Sequence, residues 1–198
     1  MKQYKNSPKR YYFKNKIYSV TTCTWNKDPF FEEDIFCELF IQELNICKEI
    51  KKFKLYGYKI NPDHVHMIIK PGDKANISEI MRSIKTNFSR DANRVILPKI
   101  GDDPNIGEVP NIGKVPRPRL YLGIPDSCQF LEKFHCKYHK KYPNKNFYPK
   151  FKWQRSFWCH IINSEKELIN QIKYLEKQWI KHGLNENKWL YIMDGFIV

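Results

Sequence analysis

Residues 61–70, NPDHVHMIIK, place two of the chain's six histidines one residue apart inside a run of strand formers. LYGYKI precedes the pair, and Val65, Met67, Ile68 and Ile69 surround and follow it. Side chains alternate across a strand, so His64 and His66 share one face, roughly 7 Å apart along the chain, while Val65, Met67 and Ile69 share the other. A buried imidazole without a partner is costly. Two on one face are therefore solvated, hydrogen-bonded, or bound to something such as a metal or a phosphate. Pro62 cannot donate to a ladder, which predicts a bulge or break just before His64, with the strand of residues 55–60 resuming at 64–70.

Working outward, KIYSVTTCTW at 16–25 has the β-branched and aromatic content of a strand. Residues 32–52 follow as an amphipathic helix, with Ile35, Phe36, Leu39, Phe40, Ile46, Cys47 and Ile50 near helical spacing and acids in the first turn. After the histidine strand, Asn76-Ile77-Ser78-Glu79 is a capping box for a helix to about Val95, with Ile77, Ile80, Met81, Ile84 and Phe88 inward. Arg82, Lys85 and Arg90 fall on its other side, a face that suits either solvent or a phosphate backbone. PNIGEV at 104–109 recurs as PNIGKV at 110–115, but two hexads are too few for a solenoid. Residues 98–150 combine this Pro/Gly-rich loop, a short helix over 128–138 and the basic tract KYHKKYPNKNFYPKFK, and read as an insertion between two halves of the core. FKWQRSFWCHII at 151–162 suits a strand. Ser164-Glu165-Lys166-Glu167 is a second capping box, opening a helix to about His182 with Gly183 as its stop.

The chain has 198 residues, 41% hydrophobic and 15% aromatic, enough to bury a core in one domain with an insertion. No stretch approaches 18 apolar residues and the N-terminal run has no apolar segment, so neither a membrane span nor a secretory signal is expected and a cytoplasmic location is. Six cysteines without a C-x-x-C fit reduced thiols. Cys136 and His139, near Cys128 and His135, make a faint zinc-like cluster whose spacing fits no standard structural site. Thirty-five Lys and Arg against 21 Asp and Glu give a formal charge of +14, and such an excess implies a polyanionic partner, nucleic acid above all. Lys2, Lys5, Lys9, Arg10, Lys14 and Lys16 are interleaved with Tyr4, Tyr11, Tyr12 and Phe13, a mixture suited to phosphate contact and base stacking.

On the last predicted helix, Leu168, Ile172, Leu175 and Trp179 form the apolar stripe, and Tyr174 lies roughly 140° from its centre. Gln178, one turn on, shares the face of Tyr174, as do Gln171, Lys177 and Lys181. A phenol beside an amide and two lysines can act as a nucleophile toward a phosphodiester, the lysines favouring phenolate and phosphate alike. It can equally be an exposed tyrosine on a polar helix face.

Taken together, YFKNKIYSVTTCTW, PDHVHMIIKP, NISEIMRSIKTNFSR and WQRSFWCHIINSEKELINQIKYLEKQWIKHGL resemble the single-tyrosine HUH transposases of the IS200/IS605-like type, especially the REP-associated tyrosine transposases. The resemblance implies a ferredoxin-like HUH nuclease fold, an α+β architecture with helices packed on an antiparallel sheet, spanning residues 1–198 apart from the insertion at about 98–150. It implies that His64 and His66 bind a divalent metal, Mg²⁺ or Mn²⁺, with Gln178 as third ligand, and that Tyr174 is the nucleophile. The REP-associated branch continues its tyrosine motif with Asn-Pro where this chain has Gln178-Trp179, which fits the insertion-sequence version of the site. The function implied is metal-dependent nicking and joining of single-stranded DNA at hairpins through a 5′-phosphotyrosine. The alternatives are a catalytically idle protein that binds hairpin or REP DNA, and a phosphoesterase using the histidines alone. Lys9, Arg10, Lys14, Arg82, Lys85, Arg155, Lys177 and Lys181 are the expected DNA contacts. Some members exchange the tyrosine helix between subunits and others act alone, which leaves a homodimer open.

Overall fold

The computed structural model describes residue 13 and residues 15–96, 127–143 and 150–195. Lys9, Arg10 and Lys14 of the basic arm, and the PNIGEV/PNIGKV repeat, lie outside the described residues. Five strands, β1 (Ile17–Cys23), β2 (Lys54–Asn61), β3 (His64–Lys70), β4 (Trp158–Ile162) and β5 (Leu190–Ile192), form one sheet in the order β4-β1-β3-β2-β5. Every neighbouring pair is antiparallel. The helices are α1 (Asp34–Lys51), α2 (Ile77–Ile96), α3 (Ser127–Lys141), α4 (Glu165–Glu176) and the single turn α5 (Gln178–Lys181). This is the expected α+β architecture, an antiparallel sheet with packed helices.

The strand expected to break at Pro62 and resume is instead two strands folded back on each other. Asn61 pairs with His64, and Pro62-Asp63 makes the tight turn between β2 and β3. Pro62 sits where no ladder bond is needed, so its missing donor costs nothing. The turn's carbonyls are used: Phe31 N donates to Pro62 O at 2.9 Å, and Thr24 N to Asp63 O at 2.8 Å. The irregularity falls further back, in the register shift between Leu55 and Gly57.

Pairing fixes what each face of the sheet carries, because partners in an antiparallel ladder point the same way. Tyr18, Val20, Ile60, Val65, Met67 and Ile69 are each at most 2% exposed and look away from α4. On that side α1 contributes Leu39, Phe40 and Leu44, and α2 contributes Ile77, Ile80, Met81, Ile84 and Phe88, all buried. The Asn76–Glu79 capping box forms as expected, Glu79 N donating to Asn76 Oδ1 at 3.0 Å and Asn76 N to Glu79 Oε2 at 2.9 Å.

The opposite face receives α4. Leu168, Ile172 and Leu175 pack on Tyr56, Ile68 and Ile162, edged by Ile17, Leu190, Ile192 and Met193. Ser164 caps α4, its Oγ accepting from Glu167 N at 3.2 Å. Gly57 allows the close approach: a Cβ there would lie 2.9 Å from Tyr191 O and 3.1 Å from Leu175 Cδ1.

Three further differences from the sequence reading have physical causes. The strand expected over 151–162 is regular only from Trp158, because Phe151 and Trp153 turn into an aromatic cluster with Phe30, Phe31, Phe40 and Phe88. The helix expected to run unbroken to His182 breaks at Lys177 into α4 and α5, and Gly183 ends the second at φ +61°. Strand β5, three residues long, carried too short a pattern to be read and is recruited by pairing with Gly57–Lys59 of β2.

The chain divides into two compact units, Met1–Ser89 with Phe151–Val198, and Arg90–Lys150. In the second, α3 stacks the His135 ring 4.1 Å from that of His139 and leaves Cys136 exposed. Among the described residues no group of three or more His, Cys, Asp or Glu side chains is placed to hold a metal ion. No helix among them is long and apolar enough to cross a membrane.

Candidate active site on the histidine face of the sheet

The face beneath α4 changes from apolar to polar at the β2–β3 hairpin. Lys59 pairs with His66, Thr21 pairs with His66 from the other side, and Cys23 and Asn61 flank His64. The two imidazoles stand edge to face with ring centres 4.8 Å apart, and their Nε2 atoms converge to 3.1 Å.

Neighbouring groups set the orientation of each ring. Asp63 Oδ1 accepts from His64 Nδ1 at 2.5 Å, while Asn61 Nδ2 lies 3.1 Å from His64 Nε2. A carboxylate at Nδ1 and an amide donor at Nε2 favour the tautomer that keeps its lone pair on Nε2. His66 Nδ1 is 2.8 Å from Thr21 Oγ1, which leaves the Nε2 of His66 aimed at the same point. His66 is only 7% exposed. Its pKa falls to about 3, first because burial disfavours the imidazolium, then through the charge of His64, with His182 and Lys181 adding to the fall and the Gln178 amide opposing it. The ring is neutral near pH 7.

Tyr174 and Gln178 arrive from above. The Tyr174 ring packs edge-on to His66 at 5.3 Å, is 39% exposed, and has the Lys181 ammonium 5.5 Å from its centre. Gln178, read from the sequence as part of a polar face, is 1% exposed. The break at Lys177 and its place on the shoulder of the apolar stripe turn it inward. Its Nε2 donates to Tyr174 O at 3.3 Å, and its Oε1 is buried without a hydrogen-bond partner. An orphaned amide oxygen beside two convergent imidazole nitrogens is a donor set suited to a divalent cation.

His64, His66, Tyr174 and Gln178 are thus gathered within one chain. The predicted DNA contacts are less uniform. Arg82, Arg155, Lys177 and Lys181 are exposed, Lys181 over the tyrosine. Lys85 is engaged within the fold: its Nζ donates to Gln154 O at 2.6 Å and Ser156 O at 3.0 Å. Arg90 is tied to Asp91 at 2.8 Å.

Several site residues escaped the sequence reading. Asp63 stood next to the histidine pair in PDHVH, and its carboxylate was signal enough. Thr21 and Asn61 become visible only with strand register. His182, treated as a helix end, places its ring 4.9 Å from His64. Lys59, fully buried beside His66, donates to Lys188 O, and burial lowers its pKa.

Residues 12–99, a little under half of the chain, match the family described as transposase IS200 like. A curated Haemophilus influenzae protein described as a REP-associated tyrosine transposase is 24% identical over 142 residues, 70% of this chain and 57% of that protein. The chain therefore spans less than two thirds of that relative's length. Among solved structures, a REP-associated tyrosine transposase bound to a REP hairpin superposes with a TM-score of 0.54 at 17% identity, covering 90% of this chain and 74% of the other. At that identity the match speaks for the fold. A transposase-like protein from Deinococcus radiodurans aligns at 0.43 and 12% identity over 87% of this chain and 97% of the other, too loosely to carry an argument. In sequence over residues 12–99, and in fold over nine tenths of its length, the chain resembles the IS200-like transposases and, among them, the REP-associated tyrosine transposases.

Proposed function

We propose that this chain cuts and rejoins single-stranded DNA beside a hairpin, using Tyr174 as nucleophile at a site where His64, His66 and Gln178 hold a divalent cation. The observation that carries the proposal is the approach of His64 Nε2 and His66 Nε2 to 3.1 Å beside the Tyr174 ring, with the buried Gln178 amide reaching His66. A bound Mg²⁺ or Mn²⁺ would polarise a phosphate oxygen and offset the negative charge on the non-bridging oxygens.

The remaining work falls to the chain itself. Asp63 and Thr21 fix the two rings, and burial keeps His66 neutral and able to donate its lone pair. The Lys181 ammonium, 5.5 Å from the centre of the Tyr174 ring, is placed to meet an incoming phosphate. As the Tyr174 oxygen bonds to phosphorus, the bond from phosphorus to the 3′ oxygen breaks. The phenol loses a proton, the leaving 3′ oxygen gains one, and the products are a 5′-phosphotyrosine and a free 3′-OH. Since the phosphodiester energy is kept in the tyrosyl ester, attack by a 3′-OH reverses the step and joins strands without hydrolysis. The relative solved with a REP hairpin supports a hairpin as the DNA partner. The tyrosine helix lies over the histidines of its own chain, which supports a site completed by one subunit.

The test is incubation of end-labelled single-stranded hairpin DNA, taken from the gene's own flanks, with the protein and Mn²⁺. A denaturation-resistant protein–DNA adduct should form, and a chelator should abolish it. Free cleavage products without any adduct would point to hydrolysis and overturn the proposal.

A further inference from the structure

Trp158 opens β4 and is 57% exposed, the most exposed tryptophan among the described residues. Three observations place it on the histidine face. It pairs with Thr21, whose hydroxyl meets His66 Nδ1; its indole lies parallel to the His160 imidazole, 5.8 Å away at 13°; and His160 bonds Glu167 of α4. Trp158, Thr21 and His66 therefore form one row across β4, β1 and β3, with the indole about 10 Å from the histidine strand. The exposed cation Arg155 precedes it by three residues, and the exposed Lys177 and Lys181 stand on the tyrosine side of the face.

An exposed indole in a protein of charge +14 asks what covers it. A flat ring backed by a second ring, in line with a phosphate-activating site and flanked by cations, suits an unpaired nucleobase, whose π-face stacks while its backbone meets the basic groups. We propose that Trp158 is the stacking platform for an unpaired base a short step along the strand from the phosphate attacked by Tyr174. This rests on the DNA-cutting function above. The platform holds the single-stranded flank in line, and the stacking contact is indifferent to which base occupies it.

The test measures binding by fluorescence anisotropy with a labelled thymidine oligonucleotide and an abasic phosphodeoxyribose strand of equal length, for the wild type, Trp158→Phe and Trp158→Ala. The wild type should prefer the thymidine strand by about 5- to 100-fold, the range expected for one stacked base. Trp158→Ala should lose most of that preference while binding the abasic strand as before, and Trp158→Phe should keep much of it. A single abasic nucleotide walked along the hairpin's flank should weaken wild-type binding at one position and have no effect there in Trp158→Ala. An alanine variant that still prefers bases as the wild type does, or a wild type without preference, would overturn the platform. Failure of the nicking proposal would show separately, as an absent covalent adduct in a protein that still discriminates the two strands.

Discussion

His66 and Met67 are consecutive residues of β3, yet they face opposite sides of the sheet and meet opposite chemistries. Met67 is fully buried on the side covered by α1 and α2, where its neighbours Val65 and Ile69 are likewise inaccessible. His66 is nearly as buried, but among Thr21, Lys59, His64 and Gln178, where two acceptors, Asn61 Oδ1 and Gln178 Oε1, have no hydrogen-bond partner. Around His66 the sheet gives up some stability to hold polar groups in a fixed geometry, as functional sites do.

Truncating each neighbour in turn should separate the two faces. His66→Ala should abolish adduct formation, by about 10⁴-fold or more if the cation activates the phosphate, while the variant stays folded. Added Mn²⁺ should raise the melting temperature of the wild type and leave that of His66→Ala unchanged, because the proposed ligand set is complete only in the wild type. Met67→Ala should do the reverse, costing about 2–5 kcal/mol in denaturant unfolding while the folded fraction still forms adduct. Equal losses of stability and activity in both variants would show that the two faces are not functionally divided.

Smaller effects sharpen the picture. Gln178→Ala should weaken Mn²⁺ binding by about 10- to 100-fold, as loss of one neutral ligand or orienting group does, and slow the adduct without abolishing it, since water can take the place of an amide oxygen. Isothermal titration with Mn²⁺ checks this, and unaltered affinity would remove Gln178 from the ligand set. Ser164→Ala should cost about 1 kcal/mol by uncapping α4. Its effect on adduct formation should be slight, because Leu168, Ile172 and Leu175 still seat the helix; melting curves beside adduct yields would test it.

Much of the fold was legible where local pattern and tertiary packing agree. Alternation in HVHMIIK gave the two faces of β3, the Asn76 and Ser164 capping boxes gave the starts of α2 and α4, and the apolar stripe gave the face of α4. What escaped depends on partners distant in sequence. Nothing local distinguishes a proline that breaks a strand from one that turns a hairpin until Phe31 and Thr24 are seen to bond the turn carbonyls. A three-residue strand such as β5 exists through its pairing with β2 alone. At the site, residue types named His64, His66 and Tyr174, whereas the inward turn of Gln178, the ring supports from Thr21 and Asn61, and the engagement of Lys85 with two backbone carbonyls required the register of the sheet and the path of residues 153–157.

The proposed function has Tyr174 attack a phosphate held above the histidine pair. The most direct measurement compares wild type and Tyr174→Phe on the same labelled hairpin DNA with Mn²⁺, and maps any adduct by peptide mass spectrometry. A nucleotide is expected on Tyr174 in the wild type, with no adduct from Tyr174→Phe, which should still bind Mn²⁺ and hairpin with nearly wild-type affinity. An adduct on another residue, or undiminished cutting by Tyr174→Phe, would contradict it.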